Sequence, residues 1–267
     1  MRCRDRAGEI YWDRKWEKGG LPPALDPCGR GLNNYVSRKF HGYFERVFRS
    51  YPTHGRKLLE IGCAQSVYLP YFSKYFGFQV AGLDRSEIGC DKARMILDRE
   101  SVTGQVYCAD FFSPPHELLE EFDVVVSFGV VEHFQPTVEA IQGISKMLKP
   151  KGKMVTIIPN LVGILGPLQK VLDVTVYDAH VPLDRQGLAS AHAEAGLEVE
   201  SCEYFLPVNL GVLDIENWAK KLPYKITVRL RSWISKLFWL VEDHFGFPRG
   251  NRFSSPYINC VAQKPCA

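Results

Sequence analysis

Between Lys57 and Pro159, short apolar runs and helix-period stretches take turns along the chain. The runs KLLEI (57–61), FQVAGLD (78–84), GQVYCAD (104–110), FDVVVSF (122–128) and GKMVTIIP (152–159) read as strands. The fourth is rich in β-branched residues, which suits burial on both faces. VYLPYFSKYF (67–76), EIGCDKARMILDRE (87–100) and TVEAIQGISKMLKP (137–150) have the 3.6-residue period of helices. Pro70 is tolerable only in the first turn of its helix, Ser86 is placed to cap the second, and Pro150 to end the third. This alternation predicts a parallel, doubly wound α/β sheet.

The flanks follow other patterns. Residues 1–30 read as irregular, with Trp12 and Trp16 ahead of GGLPPALDPCGRG. Residues 32–48 place Tyr35, Phe40, Phe44, Val47 and Phe48 at helical spacing, most simply one packed face. DRQGLASAHAEAG (184–196) predicts a helix stopped by Gly196. LEVESCEYFLPV (197–208) and SPYINCVAQK (255–264) then read as two strands with no crossover helix pattern of the usual kind, hence an antiparallel pair. Their long connection contains KITVRLRSWISKLFWLVEDHF (225–245), a basic, aromatic amphipathic helix. The expected organisation is an N-terminal cap (1–50), a central domain (51–208 with 253–267) and a helical insertion or cap (209–252).

Bulk properties narrow the function class. The chain has 267 residues, 46% hydrophobic and 24% charged, which is ordinary globular material for one domain with additions. A net charge of +3 gives no reason to expect a nucleic-acid partner. The eight cysteines form no C-x-x-C pair, so reduced thiols in a cytoplasmic protein are expected. MRCRDRAGEIYWDRKW has no apolar signal-peptide core, and MVTIIPNLVGILGPL is too broken by Pro and Gly to span a membrane.

In an open α/β sheet, ligands bind where the strands end. Here Glu60-Ile61-Gly62-Cys63, Asp84-Arg85 and Asp110-Phe111 occupy those ends. Carboxylates repel a pyrophosphate but accept hydrogen bonds from a ribose diol or an exocyclic amine. A dinucleotide loop wants three glycines so that backbone can touch phosphate. This loop keeps Gly62 and then has Ala64 and Ser66, which a phosphate-free cofactor tolerates.

LEIGCAQS, GLDRS, CADFF and FDVVVSFGVVEHF resemble, in order and spacing, the motifs of class I S-adenosylmethionine-dependent methyltransferases. The similarity covers about 57–159 and continues more weakly through HVPLDRQGLASAHAEAGLEVESCEYF. It is nearest the small-molecule branch that includes ubiquinone-biosynthesis O-methyltransferases; YWDRKWEKGGLPPALD also resembles the opening segment of thiopurine-type methyltransferases. The resemblance implies a Rossmann-like, doubly wound, seven-stranded sheet, mostly parallel with an antiparallel terminal strand. It implies S-adenosylmethionine as cofactor, with Glu60, Gly62, Cys63 and Ala64 at its methionine portion and Glu60 facing the ammonium. Asp84 and Arg85 would meet the ribose, Asp110 and Phe111 the adenine, and Ser127 the sulfonium.

Methyl transfer demands alignment and exclusion of water, with a general base where the acceptor is an alcohol or phenol. His133 and His180 are the candidate bases. Some relatives read E-x-x-E-H after the fourth strand; here Gly129 stands at the first position, so no metal is expected. The expected function is methylation of a small molecule, at an oxygen of an aromatic or lipophilic metabolite. The alternatives are an N- or S-directed enzyme and a non-catalytic cofactor-binding or scaffolding protein. The helix at 225–245 has three readings: a substrate lid, a peripheral membrane contact, or a homodimer face.

Overall fold

The computed structural model describes residues 3–17, 20–215, 224–245 and 250–266. The insertion expected at 209–252 is therefore described through 209–215, 224–245 and 250–252. In chain order the elements are β1 (Arg4–Asp5), α1 (Glu9–Glu17), α2 (Tyr35–Val47), β2 (Lys57–Ile61), α3 (Tyr68–Phe76), β3 (Gln79–Asp84), α4 (Glu87–Arg99) and β4 (Gly104–Cys108). They continue as β5 (Phe122–Phe128), β6 (Phe134–Gln135), α5 (Thr137–Ser145), β7 (Leu148–Pro159), α6 (Leu165–Leu172), α7 (Val174–Asp178), α8 (Arg185–Glu194), β8 (Glu198–Phe205), α9 (Tyr224–Phe245) and β9 (Tyr257–Gln263).

Seven strands form one sheet in the order β4-β3-β2-β5-β7-β9-β8. All neighbours are parallel except β9, which runs against both β7 and β8. The expected antiparallel pair is thus β8 and β9, with β9 inserted beside β7. Both faces are covered, as the unbroken apolar strands require. Leu59, Ile61, Leu83 and Val125 pack with Ile141 and Ile144 of α5 and Leu188 of α8. Leu58, Val80, Val124 and Val126 pack on the other face with Phe40 and Phe44 of α2, Phe48 just beyond it, and Leu69 and Phe72 of α3. The aromatic period read at 32–48 is this packed stripe.

The local signals are realised. Ser86 caps α4 by accepting a hydrogen bond from the Gly89 N–H at 3.2 Å. Gly196 follows α8 at φ +87°, where a side chain would be strained. Two readings are corrected. Residues 9–17 are helical rather than irregular, with Trp12 and Trp16 one turn apart and stacked at 5.9 Å. The helix from Thr137 ends at Ser145 rather than Pro150, and Pro150 lies inside β7. There the β5–β7 register shifts, and the bulged stretch needs no ladder N–H from Pro150.

Candidate functional site

A cavity of about 490 Å³ opens at the carboxyl ends of β2, β3, β4 and β5. Crossing the sheet from β4 to β5, its wall passes from Asp110 through Asp84 and Glu60 to Phe128 and Gly129. Carboxylates thus follow β4, β3 and β2, with Phe111 and Phe112 beside Asp110, and the β5 side is aromatic and apolar.

The loop after β2 shows why one glycine suffices. Gly62 sits at φ +74°, and a Cβ there would come within 2.5 Å of Val130 Cγ2. Both facts require glycine. Ala64 is accommodated from the other side: a Cβ on Gly89 of α4 would lie 2.5 Å from the Ala64 methyl. The space expected of a second loop glycine is supplied by the facing helix. Ser66 has its own task. Its hydroxyl donates to Glu60 Oε2 at 2.6 Å and accepts from the N–H groups of Tyr68 and Leu69 at the start of α3.

Glu60 is buried, and desolvation pushes its carboxyl up to about 8 despite the Ser66 hydrogen bond. Asp84 is anchored through both oxygens, accepting from Ser86 N–H at 2.9 Å and Ala64 N–H at 3.1 Å. Burial raises its pKa and these hydrogen bonds oppose the rise. Asp110 is exposed at the rim and accepts from the Phe112 N–H at 2.9 Å. Phe111 packs edge-on to Phe134 at 5.1 Å. Arg85 also borders the cavity, but its guanidinium pairs with Asp5 and so latches the N-terminal segment to the β3 loop.

Two of the expected cofactor residues stand off the wall. Cys63 is fully buried in the core, its sulfur beneath Gly82, so only its backbone belongs to the loop. Ser127 is buried below the cavity, its hydroxyl without a protein partner.

His133 lines the cavity, and its Nδ1 lies 2.8 Å from the Ala179 carbonyl oxygen. His180 lies behind it, the rings 4.3 Å apart, with Nδ1 2.6 Å from the Val176 carbonyl oxygen. A carbonyl only accepts, so each Nδ1 carries the proton and each Nε2 keeps its lone pair. Burial depresses both, His133 to about 3. Both imidazoles are therefore neutral near pH 7, and His133 is a weak base. Glu132 was not among the expected site residues. It is buried, both carboxylate oxygens lack partners, and desolvation pushes it up to about 8. Glu132, His133 and His180 bring one ligand-capable atom each to within 4.8 Å of the others, close enough to share a cation. The signal in sequence was the neighbouring Glu132-His133 pair; the fold adds His180.

The cover of the cavity comes from residues 3–16: Cys3, Asp5, Trp12 and Trp16 all border it. β1 pairs with β6, and Trp12 meets the His133 ring edge-on at 4.9 Å. α1 is held down by Ser86 Oγ donating to Asp13 at 2.7 Å and by Lys15 paired with Asp214 at 3.3 Å. No described residue of 209–252 lies on this wall. The insertion reaches the cavity at second hand, through Asp214. Its helix α9 packs Trp239 flat on Tyr35 at 4.8 Å and donates from Trp239 Nε1 to the Val208 carbonyl.

Comparison with known proteins agrees with this architecture. The family profile described as "Methyltransferase domain" matches residues 32–202. The chain therefore belongs to the class I S-adenosylmethionine-dependent methyltransferases. It is 29% identical to the ubiquinone biosynthesis O-methyltransferase of Roseobacter denitrificans over 152 residues, 54% of this chain and 56% of the relative. The chain spans about half the length of the curated relatives it matches. Among solved structures it is similar to geranyl diphosphate C-methyltransferase from Streptomyces coelicolor A3(2), in complex with Mg2+, geranyl diphosphate and S-adenosyl-L-homocysteine. That likeness has TM-score 0.58 and 14% identity, over 94% of this chain and 96% of the other. The cyclase SpnF superposes with TM-score 0.59 at 17% identity, over 90% and 84% of the two chains. These likenesses concern the fold, which serves more than one reaction.

Proposed function

We propose that this protein transfers a methyl group from S-adenosylmethionine to an oxygen of an aromatic or lipophilic small molecule. The observation that carries the reading is the cavity at the strand ends, which sets Asp110, Asp84 and Glu60 in a row after β4, β3 and β2 and is otherwise lined by groups such as Phe128, Tyr68, Trp12 and His133. The carboxylate row suits the amine, diol and ammonium of the cofactor. Tyr68 and Phe128, stacked at 4.1 Å, offer a flat apolar wall to the acceptor. The buried Glu60 carboxyl on the wall, bonded to Ser66, is a polar group that a bound ammonium would pair further.

When bound, the cofactor supplies an electrophilic methyl on a sulfonium. The chain's own work is placement. Glu60 would hold the ammonium, Asp84 the ribose hydroxyls and Asp110 the adenine amine. Trp12 and Trp16 would close the cavity against water, so that alignment rather than a strong base drives transfer. His133 Nε2 would accept the acceptor hydroxyl's hydrogen bond and take its proton late, as the oxygen loses charge to the new bond. His180 would position His133. The N-terminal segment 3–17 would act as the acceptor-side cap, with the insertion bracing it through Asp214 and Lys15.

The test is turnover of S-adenosylmethionine to S-adenosylhomocysteine with a panel of phenols, catechols, amines and thiols, followed by mass spectrometry of the product. Methylation at oxygen is expected. His133→Ala should lower kcat by about 10²-fold, the low end for proton transfer, with cofactor affinity unchanged. Methylation at nitrogen or sulfur would replace the acceptor assignment. Cofactor binding without turnover on any acceptor would favour the scaffolding alternative.

A further inference from the structure

The helix α9 has a protein-facing side and an exposed apolar side. Val228, Ser235, Trp239 and Glu242 fall on one stripe and face the protein. Val228 packs against the cluster of Leu161, Leu165, Leu213 and Ile215, Ser235 and Trp239 are buried, and Glu242 pairs with Lys39 at 2.9 Å. Leu230, Trp233, Ile234 and Leu237 follow at i, i+3, i+4 and i+7 on the opposite side, and Leu240 continues the stripe. These are open to solvent: Trp233 is 74% exposed, Leu237 63% and Leu230 60%. A surface helix normally turns its second side to water with charged residues, so this stripe awaits a partner.

A second exposed apolar face lies on a neighbouring helix. The Leu161–Leu165 cluster joins α9 to α6, and α6 carries its own exposed face of Ile164, Leu168 and Val171, the last 72% exposed. Charge indicates what covers it. From Tyr224 to Val241 the helix contains Lys225, Arg229, Arg231 and Lys236 and no acid. Arg231 turns inward to the Leu213 carbonyl. Arg229 and Lys236, seven residues apart, flank the exposed stripe on one side. From Leu165 to Leu172, α6 contains Lys170 and no acid. The acids of α9, Glu242 and Asp243, stand in its last turn beyond these cations, and Glu242 pairs with Lys39. A bilayer with anionic headgroups meets both demands, taking the Leu and Trp side chains into the acyl boundary and the cations at the headgroups.

We propose that α9, with α6 beside it, docks this protein on an anionic lipid surface. The proposal stands independently of the acceptor's identity. The full chain is mixed with phosphatidylcholine vesicles, with or without phosphatidylglycerol, and floated on a density gradient. The expected result is flotation with the phosphatidylglycerol vesicles and quenching of Trp233 fluorescence by brominated lipid. Trp233→Ser with Leu237→Ser should lower the bound fraction about tenfold or more. Arg229→Gln with Lys236→Gln should reduce binding to anionic vesicles alone, as should added salt. Both variants should keep wild-type circular dichroism and S-adenosylhomocysteine affinity, which shows that they fold. Absence of flotation on anionic vesicles, or equal flotation of the Ser variant, overturns the proposal. So does a dimer by light scattering that the Ser variant splits, since the stripe would then be a seam between copies.

Discussion

Replacing Asp84 by Ala tests the carboxylate row of the cavity at its most constrained point. The carboxylate would accept from two ribose hydroxyls. Hydrogen bonds to a charged group contribute about 1.5–3 kcal/mol each, and water entering the gap restores part of that. The expected loss is about 2–4 kcal/mol, or about 30- to 800-fold in Kd. The structure adds a second cost, because Asp84 also holds the N–H groups of Ser86 and Ala64 at 2.9 and 3.1 Å. Freeing both should lower stability by about 1–2 kcal/mol, visible as a lower Tm. Asp84→Asn keeps one acceptor oxygen and should fall between. Titration calorimetry with S-adenosylhomocysteine and its 2′-deoxy analogue separates the two costs. The wild type should discriminate between the ligands, and the Ala variant should bind both equally weakly. If the Ala variant loses Tm but still discriminates with wild-type affinity, Asp84 is a loop anchor and the ribose assignment is wrong.

The other predictions concern proton and metal linkage. Glu60 holds a proton up to about pH 8 in the free protein. If the cofactor ammonium docks beside it, binding should expel up to one proton near pH 7, and affinity should climb with pH at no more than about tenfold per unit until about pH 8. Calorimetry in buffers of different ionisation enthalpy reads this, and equal proton release by Glu60→Gln would refute it. Glu132 is likewise pushed up to about 8 from an ordinary value near 4.5, so the folded state binds the extra proton between those values. Stability should fall as pH rises from about 4.5 to about 8 and then level off. Glu132→Gln should raise stability at pH 8 by about 4 kcal/mol and leave it unchanged at pH 4, read by denaturant midpoints. Turnover is expected to survive dialysis against a chelator; loss restored by a divalent cation would make Glu132, His133 and His180 its ligands.

Most of the sheet was legible because strands and helices between Lys57 and Pro159 differ in period and are punctuated by Pro70 and Ser86. The acids at the strand ends were legible for the same reason, since topology places strand ends together. Four things were not. The helix at Glu9–Glu17 lacks a clean apolar period, because Trp12 and Trp16 turn to a cavity rather than to a core. Pro150 ends helices in most settings, and only the β5–β7 register shift allows it in a strand. Cys63 stands in the motif, yet alternation across the loop sends its side chain into the core. Glu132 and His180 lie 48 positions apart in the sequence (180 − 132), so no spacing rule links them. Their meeting depends on how α7 returns across the β5 loop, where the Val181 N–H donates to the Glu132 carbonyl.

The fit of Ala64 against Gly89 makes the order of substitution matter. A side chain at Gly89 is blocked while Ala64 is present, because the two methyl positions would lie 2.5 Å apart. Restoring glycine at 64 would lift that block but leave a small void. Only then could Gly89 become Ala and refill it. Relatives with glycine in the loop and a larger residue on the helix would thus be reachable from this sequence along one path and not the other. A library that mutates the two positions separately would score Gly89 as immutable, when the hardest part of its constraint comes from position 64 and the rest from Trp16, whose Cδ1 would lie 3.3 Å from the new methyl.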